Sequence, residues 1–230
     1  PWMPLSKVEE IVSVTNRLKP DLIVLLGDYV AGLDRFRSAV VAPEDWAGAL
    51  GRLSAPLGTY AVLGNHDRWE YVDQVRTVLG ANRIPILEND AALLAASDGT
   101  PFWLAGLGDQ LAHPEGRNRF RGVDDLPGTL SGIPDDGNPI VLLAHEPDIF
   151  VEVPERVSLT LSGHTHGGQV VLPYVGRPIV PSAFGGRYAY GHIVEDGRHL
   201  IVSGGLGCSV LPVRFGVPPE IVVVDLGELP

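Results

Sequence analysis

Four short segments of this chain, each largely apolar, end at a group of side chains that can bind metal ions. The segments are residues 22–26, 59–63, 140–144 and 157–161, and their length and apolar character are typical of buried strands. The side chains that follow them are Asp28; Asn65, His66 and Asp67; His145; and His164 with His166. Because sites in sheet-based α/β proteins gather where strands end and loops begin, the repeated pattern predicts one shared site.

Each of the four groups also has an ordinary structural explanation. A Gly-Asp pair after a strand is usually a turn, and Asp67 can simply start the helix that follows it. A lone histidine such as His145 is more often hydrogen-bonded in the core than bound to a metal. That explanation would have to hold four times, each time at the end of a strand, so we favour the metal-site interpretation.

The kinds of side chain in these groups indicate which ions they suit. A carboxylate, an amide oxygen and several imidazoles suit Mn, Fe or Zn better than Ca, which prefers oxygen ligands alone. A bridging carboxylate can hold two such ions about 3.5–4 Å apart, where they clamp a phosphate and acidify a bridging water. In an extended loop, His164 and His166 would point to the same side, so that each could serve one metal. Asn65 and His66 would point to opposite sides, so that one binds metal while the other faces substrate.

The hydrophobic pattern of the whole chain predicts one α/β or α+β domain, residues 1–230, with at least eight strands. Helices are predicted over residues 6–18, from Pro43 onward and over residues 69–79, with Ser6 and Glu9 as a capping box. Further strands are predicted at residues 84–88, 92–95, 102–105, 191–194, 199–202 and 221–226. Residues 106–139 are rich in Gly, Pro, Asp and Arg, which indicates a long surface excursion with one helical turn near residues 124–130.

The composition argues against several classes of protein. The 230 residues include 17 Lys and Arg against 28 Asp and Glu, so the chain lacks the basic surface that long nucleic acids require. Its single cysteine, Cys208, cannot form a disulfide within the chain. No apolar run approaches the roughly 18–20 residues of a membrane span. We therefore expect a globular protein that binds a small molecule. The sequence does not determine its oligomeric state.

The order of the polar motifs resembles the calcineurin-like metallophosphoesterase superfamily. The motifs that carry the resemblance are Gly27-Asp28, Gly64-Asn65-His66-Asp67, Ala144-His145 and Gly163-His164-Thr165-His166. Gly167-Gly168-Gln169 and Pro218-Pro219-Glu220-Ile221 are similar to its bacterial branch of small phosphodiesterase-like proteins. The resemblance implies a four-layer αββα sandwich, in which two mixed β-sheets are flanked by helices. It also implies phosphoester hydrolysis by a dinuclear centre with a bridging hydroxide.

The resemblance implies a role for each residue of these motifs. Asp28 would bridge two divalent ions. The other ligands of the second ion would be Asn65, His145 and His164, and His166 would bind the first ion. His66 would contact the phosphate and protonate the leaving group. For two further residues, the sequence leaves two roles open. Asp67 can orient His66 or start a helix, and Arg214 can reach the substrate pocket or be structural.

The sequence departs from the family pattern at the opening motif, Asp-x-His, which would supply two ligands of the first metal. We therefore expect that the chain lacks its first strand, beside residues 22–26, and that it hydrolyses phosphoesters weakly as given. Members of this branch often carry an N-terminal membrane segment, which implies membrane association through an upstream segment. The residues after Asp28 do not read Asp-Arg-Gly, so a phosphoprotein phosphatase is disfavoured.

The predicted function is thus hydrolysis of a phosphodiester, pyrophosphate or phosphomonoester in a small phosphorylated substrate, with Mn, Fe or Zn as cofactor. One alternative is a non-catalytic metal-binding or scaffold module of the same fold, and another is a mononuclear metal-binding protein. A module that had lost its activity would be expected to lose the second-metal ligands as well. That set is complete here, which favours the enzyme.

Overall fold

The computed structural model describes residues 3–30, 41–117, 119–209 and 211–227. The strands, in chain order, are β1 (Ile23–Leu25), β2 (Thr59–Ala61), β3 (Asp90–Ala95), β4 (Pro101–Gly106), β5 (His113–Gly116), β6 (Arg119–Arg121), β7 (Ile140–Leu143), β8 (Leu159–Ser162), β9 (Gly191–Glu195) and β10 (Arg198–Val202). The helices are α1 (Leu5–Leu18), α2 (Pro43–Leu50), α3 (Asn65–Glu70), α4 (Val72–Ala81) and α5 (Leu126–Ser131). Short 3₁₀ helices lie at Pro147–Val151 and His166–Gly168. The long excursion predicted at residues 106–139 thus contains the hairpin β5–β6 and the helix α5.

The described strands form a two-stranded sheet, a six-stranded sheet and one separate hairpin. The first sheet pairs β1 with β2 in parallel. The second sheet has six strands in the order β3-β4-β7-β8-β10-β9. Its four inner strands are parallel to one another, and the edge strands β3 and β9 are antiparallel to their neighbours, so this sheet is mixed. Strands β5 and β6 form the hairpin.

The alternation of side chains along β7 shows how the two sheets are sandwiched. Val141 and Leu143 pack in an inner core with residues of the first sheet, including Val24 of β1. Ile140 and Leu142 point the other way and pack in an outer core that includes residues of α5. Because successive side chains of a strand face opposite sides, one strand contributes to both cores.

The first sheet has a helical layer on its far side. Leu25 of β1 and Ala61 of β2 pack in a third core with Val8 of α1, Trp46 of α2 and Val75 of α4. The order of layers is therefore helices, first sheet, second sheet and helix, which confirms the predicted αββα sandwich. None of the helices in the described ranges is long and apolar enough to cross a membrane.

The helix predicted over residues 69–79 is instead two helices, α3 and α4, which meet at Tyr71. The helical region also begins earlier than predicted, at Asn65. The Gly64 N–H donates to the Asp67 carboxylate at 2.9 Å, and this bond closes the first turn of α3. Asn65 and His66 are consequently on the first turn of a helix, where successive side chains point about 100° apart instead of to opposite sides as predicted.

The capping box predicted at Ser6 and Glu9 is also wrong. Pro4 precedes α1, and its carbonyl accepts the N–H of Lys7 at 2.9 Å, so the helix begins one residue before Ser6. Pro at such a position costs the helix nothing, because the first N–H groups have no intrahelical partner.

Two predicted strands are not strands within the described residues. Residues 84–88 make a single bridge, between Ile86 and Ala61 of β2, and the Leu87 N–H donates to the Ala61 carbonyl at 2.8 Å. Residues 221–226 are in no ladder with another described strand, although Val224 packs against the inner core. Residues with high β propensity form a strand only where a neighbouring strand is present to hydrogen-bond with their backbone. The expected first strand beside residues 22–26 and the single domain 1–230 stay predictions.

Candidate metal centre

Three of the predicted ligands converge where strands of the two sheets end. Asp28 follows β1, His145 follows β7 and His164 follows β8, and one ligand atom of each lies within 4.8 Å of the other two. Asp28 Oδ2 is 3.2 Å from His145 Nε2. His145 Nε2 is in turn 3.2 Å from His164 Nδ1. The cluster therefore joins the first sheet to the second, with side chains aimed at one point.

Two glycines allow this close approach. A Cβ atom on Gly64 would lie 2.3 Å from Asp28 Oδ1 and 2.6 Å from His145 Cε1. Gly27 has a φ of +96°, and a Cβ there would lie 2.8 Å from His145 Nδ1. Any larger residue at either position would push the ligands apart, so the glycines next to the motifs are required by the packing of the site.

The ligand loops adopt a backbone conformation that non-glycine residues rarely adopt. Asp28, His164 and His166 have φ values of 59°, 63° and 52°. Such residues cost of order 1–3 kcal/mol each and persist where the surroundings hold them in place. Here the turn between the two histidines is held by Thr165, whose buried hydroxyl donates to the Ala189 carbonyl at 2.7 Å. The extended loop predicted for His164 and His166 is therefore wrong.

The hydrogen bonds of His145 determine which of its nitrogens faces the cluster. Its Nδ1 lies 2.5 Å from the Leu26 carbonyl, and since a carbonyl only accepts, Nδ1 is the donor. Nε2 is left to face Asp28 and His164. Metal-binding histidines commonly donate their second N–H to a carbonyl in this way, which fixes the ring and its tautomer.

The charges of Asp28, His145 and His164 influence one another. Burial raises the pKa of Asp28, but the positive charge of His145 and its hydrogen bond outweigh burial and hold this pKa well below its usual range. Burial lowers the pKa of His145, and Asp28 outweighs it, so that the pKa is well above the ordinary histidine value. Burial and then the charge of His145 lower the pKa of His164 to about 3. His164 is therefore neutral, the form that binds a metal, and binding of a cation would displace a proton from His145.

Asn65 supplies an independent test of whether these residues fit a metal ion. It is 2% exposed, and its Oδ1 has no hydrogen-bond partner among the described residues. Leaving a buried polar atom unpaired costs about 1–3 kcal/mol, so a partner is expected. A cation satisfies this oxygen, and a carboxylate, an amide oxygen and two imidazoles fit Mn, Fe or Zn.

Asp67 lies beneath the cluster and fixes its shape. This residue is fully buried, and its carboxylate accepts four backbone N–H groups. The donors are Asp28, Tyr29, Val30 and Gly64, at 2.8, 2.8, 3.2 and 2.9 Å. Burial, followed by the charge of Asp28, raises the pKa of Asp67 to about 7. The geometry makes Asp67 a positioning residue that joins the Asp28 loop to the start of α3.

His66 occupies the open side of the cluster. Its backbone N–H donates to Asp28 Oδ1 at 3.0 Å, which places it beside the carboxylate. Its side chain is 21% exposed, and Nδ1 lies 3.9 Å from Glu70 Oε1. A ring that adjoins the ligands yet reaches solvent is suited to contact a bound phosphate, as the sequence predicts.

His166 and Arg214 form a second group next to the cluster. The Arg214 guanidinium donates to His166 Nδ1 at 3.2 Å and to the carbonyls of Gly204 and Gly207 at 2.7 Å each. Burial, then the charge of Arg214, lowers the pKa of His166 to about 4. Among the described residues, His166 lies outside the group of three that converge. Arg214 is thus held by a glycine-rich turn and is hydrogen-bonded to His166.

Sequence reasoning missed two buried carboxylates next to the site. Asp109 and Glu146 are 1% and 3% exposed, and each retains one oxygen without a hydrogen-bond partner among the described residues. Burial raises the pKa of Asp109 to about 6 and that of Glu146 to about 8. The signal was present, because Glu146 directly follows His145 and Asp109 comes shortly after β4. The rule of polar residues at strand ends covers both.

Comparison with known proteins agrees with the fold and the site. The calcineurin-like phosphoesterase family model matches residues 4–168, and the chain belongs to this family. The uncharacterized metallophosphoesterase YkuE of Bacillus subtilis is 35% identical over 98% of this chain and 74% of its own length. The phosphodiesterase YaeI of Escherichia coli is 31% identical over 98% of this chain and 77% of its own length. The chain is therefore a metal-dependent hydrolase of phosphoesters, of the bacterial small branch.

A solved structure supports the fold alone. The NAD nucleotidase of Haemophilus influenzae superimposes with a TM-score of 0.55 at 17% identity, over 87% of this chain. The chain spans about two fifths of that protein, 39% of its length.

Proposed function

We propose that this chain hydrolyses small phosphodiesters or pyrophosphates at a dinuclear metal centre built on Asp28. One observation carries the proposal: Asp28, His145 and His164 converge within 4.8 Å, and Asn65, which directly precedes the His66 whose N–H binds Asp28, has a buried Oδ1 without a partner among the described residues. Asp28 has two carboxylate oxygens and can bridge two ions. Asn65, His145 and His164 would complete the ligand set of one ion, and His166 would contribute to the other once its Nδ1 no longer accepts the hydrogen bond of Arg214.

The residues of the chain divide the work between binding and proton transfer. When bound, two divalent ions would neutralise the phosphate and acidify the attacking water. His66, on the open side, would hold the phosphate oxygen and deliver a proton to the departing oxygen. Gly27 and Gly64 keep the ligands close, and Asp67 keeps the Asp28 loop in register with α3.

The proposal is tested with the purified chain and bis-p-nitrophenyl phosphate in the presence of Mn²⁺, Fe²⁺ or Zn²⁺. We expect slow, metal-dependent release of p-nitrophenol that is lost on adding a chelator and restored by adding one of these ions. Metal content should approach two ions for each chain at saturation. One ion with no turnover would instead support the mononuclear or non-catalytic alternative. Membrane association through an upstream segment stays a separate prediction.

A further inference from the structure

A row of three aromatic rings leads from the metal centre to the surface. The first ring is His66, whose backbone contacts Asp28. The second is Trp69 of α3, whose ring centroid lies 5.2 Å from that of His66, edge to face. The third is Phe120 of β6, stacked on Trp69 with centroids 5.7 Å apart and ring planes 15° from parallel. The hairpin β5–β6 thus reaches back toward the site through one phenyl ring.

The two outer rings are both partly exposed. Trp69 is 39% exposed and Phe120 is 38% exposed, although both lie within two ring contacts of the metal ligands. Trp69 is held in place, because its Nε1–H donates to the Leu111 carbonyl at 2.8 Å. A fixed, exposed aromatic surface beside a cluster of buried polar ligands is a feature of ligand sites.

The arginines of the hairpin do not contribute to this surface. Arg119 and Arg121 flank Phe120 on β6, and successive side chains of a strand face opposite sides. Arg121 is paired instead with Glu115, at 3.3 Å. The surface that Phe120 presents is therefore aromatic and apolar, and it would select a flat apolar group over a second phosphate.

We propose that Trp69 and Phe120 form a stacking subsite for a planar aromatic group, an aryl ring or a nucleobase, on the leaving-group side of the substrate. The subsite lies on the leaving-group side because Trp69 contacts His66, which would deliver a proton to the departing oxygen. This inference rests on the proposed function, since the phosphate must be held at the metal centre for the subsite to act.

The test compares pairs of ligands that differ only in the flat group. Phenylphosphonate and cyclohexylphosphonate share a charge and a size, and adenosine 5′-monophosphate and ribose 5-phosphate share a phosphate and a sugar. Binding of each to the Mn²⁺-loaded chain is measured by calorimetry, which needs no turnover. We expect the aromatic member of at least one pair to bind about five- to tenfold more tightly, the lower part of the range for stacking on an aromatic side chain. The pair that shows the preference identifies aryl or nucleobase as the group.

Variants of Phe120 separate stacking from support of the hairpin. Phe120→Tyr keeps the ring and should keep the preference, whereas Phe120→Leu keeps apolar packing but should lose it. Phe184→Ala is a matched control, because Phe184 is also 38% exposed and contacts Tyr188 instead of the row. Equal binding of both members of both pairs in the unaltered chain, or a preference that survives in Phe120→Leu, would overturn the subsite. Failure of all four ligands to bind would also overturn the subsite, whereas the proposed function is overturned only by the absence of metal-dependent hydrolysis of bis-p-nitrophenyl phosphate.

Discussion

The buried side of the site and its open side are built in different ways. On the buried side, Asp28, His145 and His164 follow the ends of three strands by two or three residues. The Asp67 carboxylate holds the Asp28 loop, and the Leu26 carbonyl holds His145. On the open side, Trp69 and Phe120 come from a short helix and an exposed hairpin, and they meet through ring contacts alone.

This difference assigns separate tasks to the two sides. Strand ends within two packed sheets cannot shift independently, so they suit ligands whose positions must be held within tenths of an ångström. A hairpin outside the two sheets can vary in sequence without disturbing those ligands. We therefore infer that the buried side sets the reaction and the open side selects the substrate.

Removing a ligand from the buried side should have the largest effect. Asp28→Asn keeps the shape of the side chain and tolerates the positive φ, but removes the charge that a bridging ligand needs. We expect metal content to fall and hydrolysis to drop by roughly 10⁴-fold or more, because bound ions supply several kcal/mol of transition-state stabilisation. Metal analysis and turnover of bis-p-nitrophenyl phosphate measure the two effects.

The matched control is Asp196→Asn. Asp196 also has a positive φ, 51°, but its side chain is 86% exposed and lies on the turn between β9 and β10. This variant should retain both metal and activity. If Asp28→Asn retained full metal content and activity, the buried side would not be the metal centre.

His66 stands at the boundary between the two sides, and its loss should separate chemistry from metal binding. His66→Ala should retain metal, while turnover falls by about 10²–10⁴-fold, the usual contribution of a positioned acid or base. An exposed histidine of the second sheet, His199, provides the control variant His199→Ala. Loss of metal in proportion to activity would show that His66 is a ligand.

The strand-end pattern predicted the buried side well and the open side poorly. Asp28, His145 and His164 could be found because each follows its own apolar segment, so the signal is local. The left-handed backbone at His164 could not be found, since it depends on the bond between Thr165 and Ala189, 24 residues away.

The aromatic row depends on contacts that are more distant still. Trp69 and Phe120 are far apart in sequence, so no local pattern places one ring against the other. The start of α3 at Asn65 was missed for a similar reason. Asn, His and Asp are weak helix formers, and the turn forms because Asp67 also binds the Asp28 loop. Where tertiary hydrogen bonds decide the backbone, local patterns predict the residues but not their directions.

A smaller effect is expected from the support beneath the metal centre. Asp67→Asn replaces one accepting oxygen with an NH₂ group, which cannot accept the backbone N–H groups that now point at it. Residues that position ligands typically change metal affinity by about 10–100-fold when altered. Titration of the chain with Mn²⁺ should show this loss, with turnover recovering at high metal concentration. An unchanged affinity would mean that the Asp28 loop holds its shape without Asp67.

The smallest effect concerns Asp109, which lies in the loop that joins the two sides. The Gln110 N–H of this loop donates to Glu146 Oε2 at 3.1 Å, next to His145. The Leu111 carbonyl accepts from Trp69, and the Leu111 N–H donates to Asp109 Oδ1 at 2.6 Å. Burial raises the pKa of Asp109 to about 6, above the ordinary value of an aspartate, although the charge of His145 acts in the opposite direction. The folded chain therefore keeps this proton to a higher pH than the unfolded chain does.

The direction of the effect on stability follows from the higher pKa of Asp109 in the folded chain. Protonated Asp109 stabilises the folded state fully below about pH 4, and this contribution is lost as the pH rises through 6. Between pH 5 and pH 8 the unaltered chain should lose on the order of 1 kcal/mol of unfolding free energy that Asp109→Asn does not lose. Urea unfolding of both proteins at the two pH values, with a chelator present, measures the difference and cancels the contributions of the other buried groups. Parallel pH profiles would mean that the pKa of Asp109 is the same in the folded and unfolded chains. The carboxyl group of Asp109 would then not take part in holding the loop that joins the buried side to the open side.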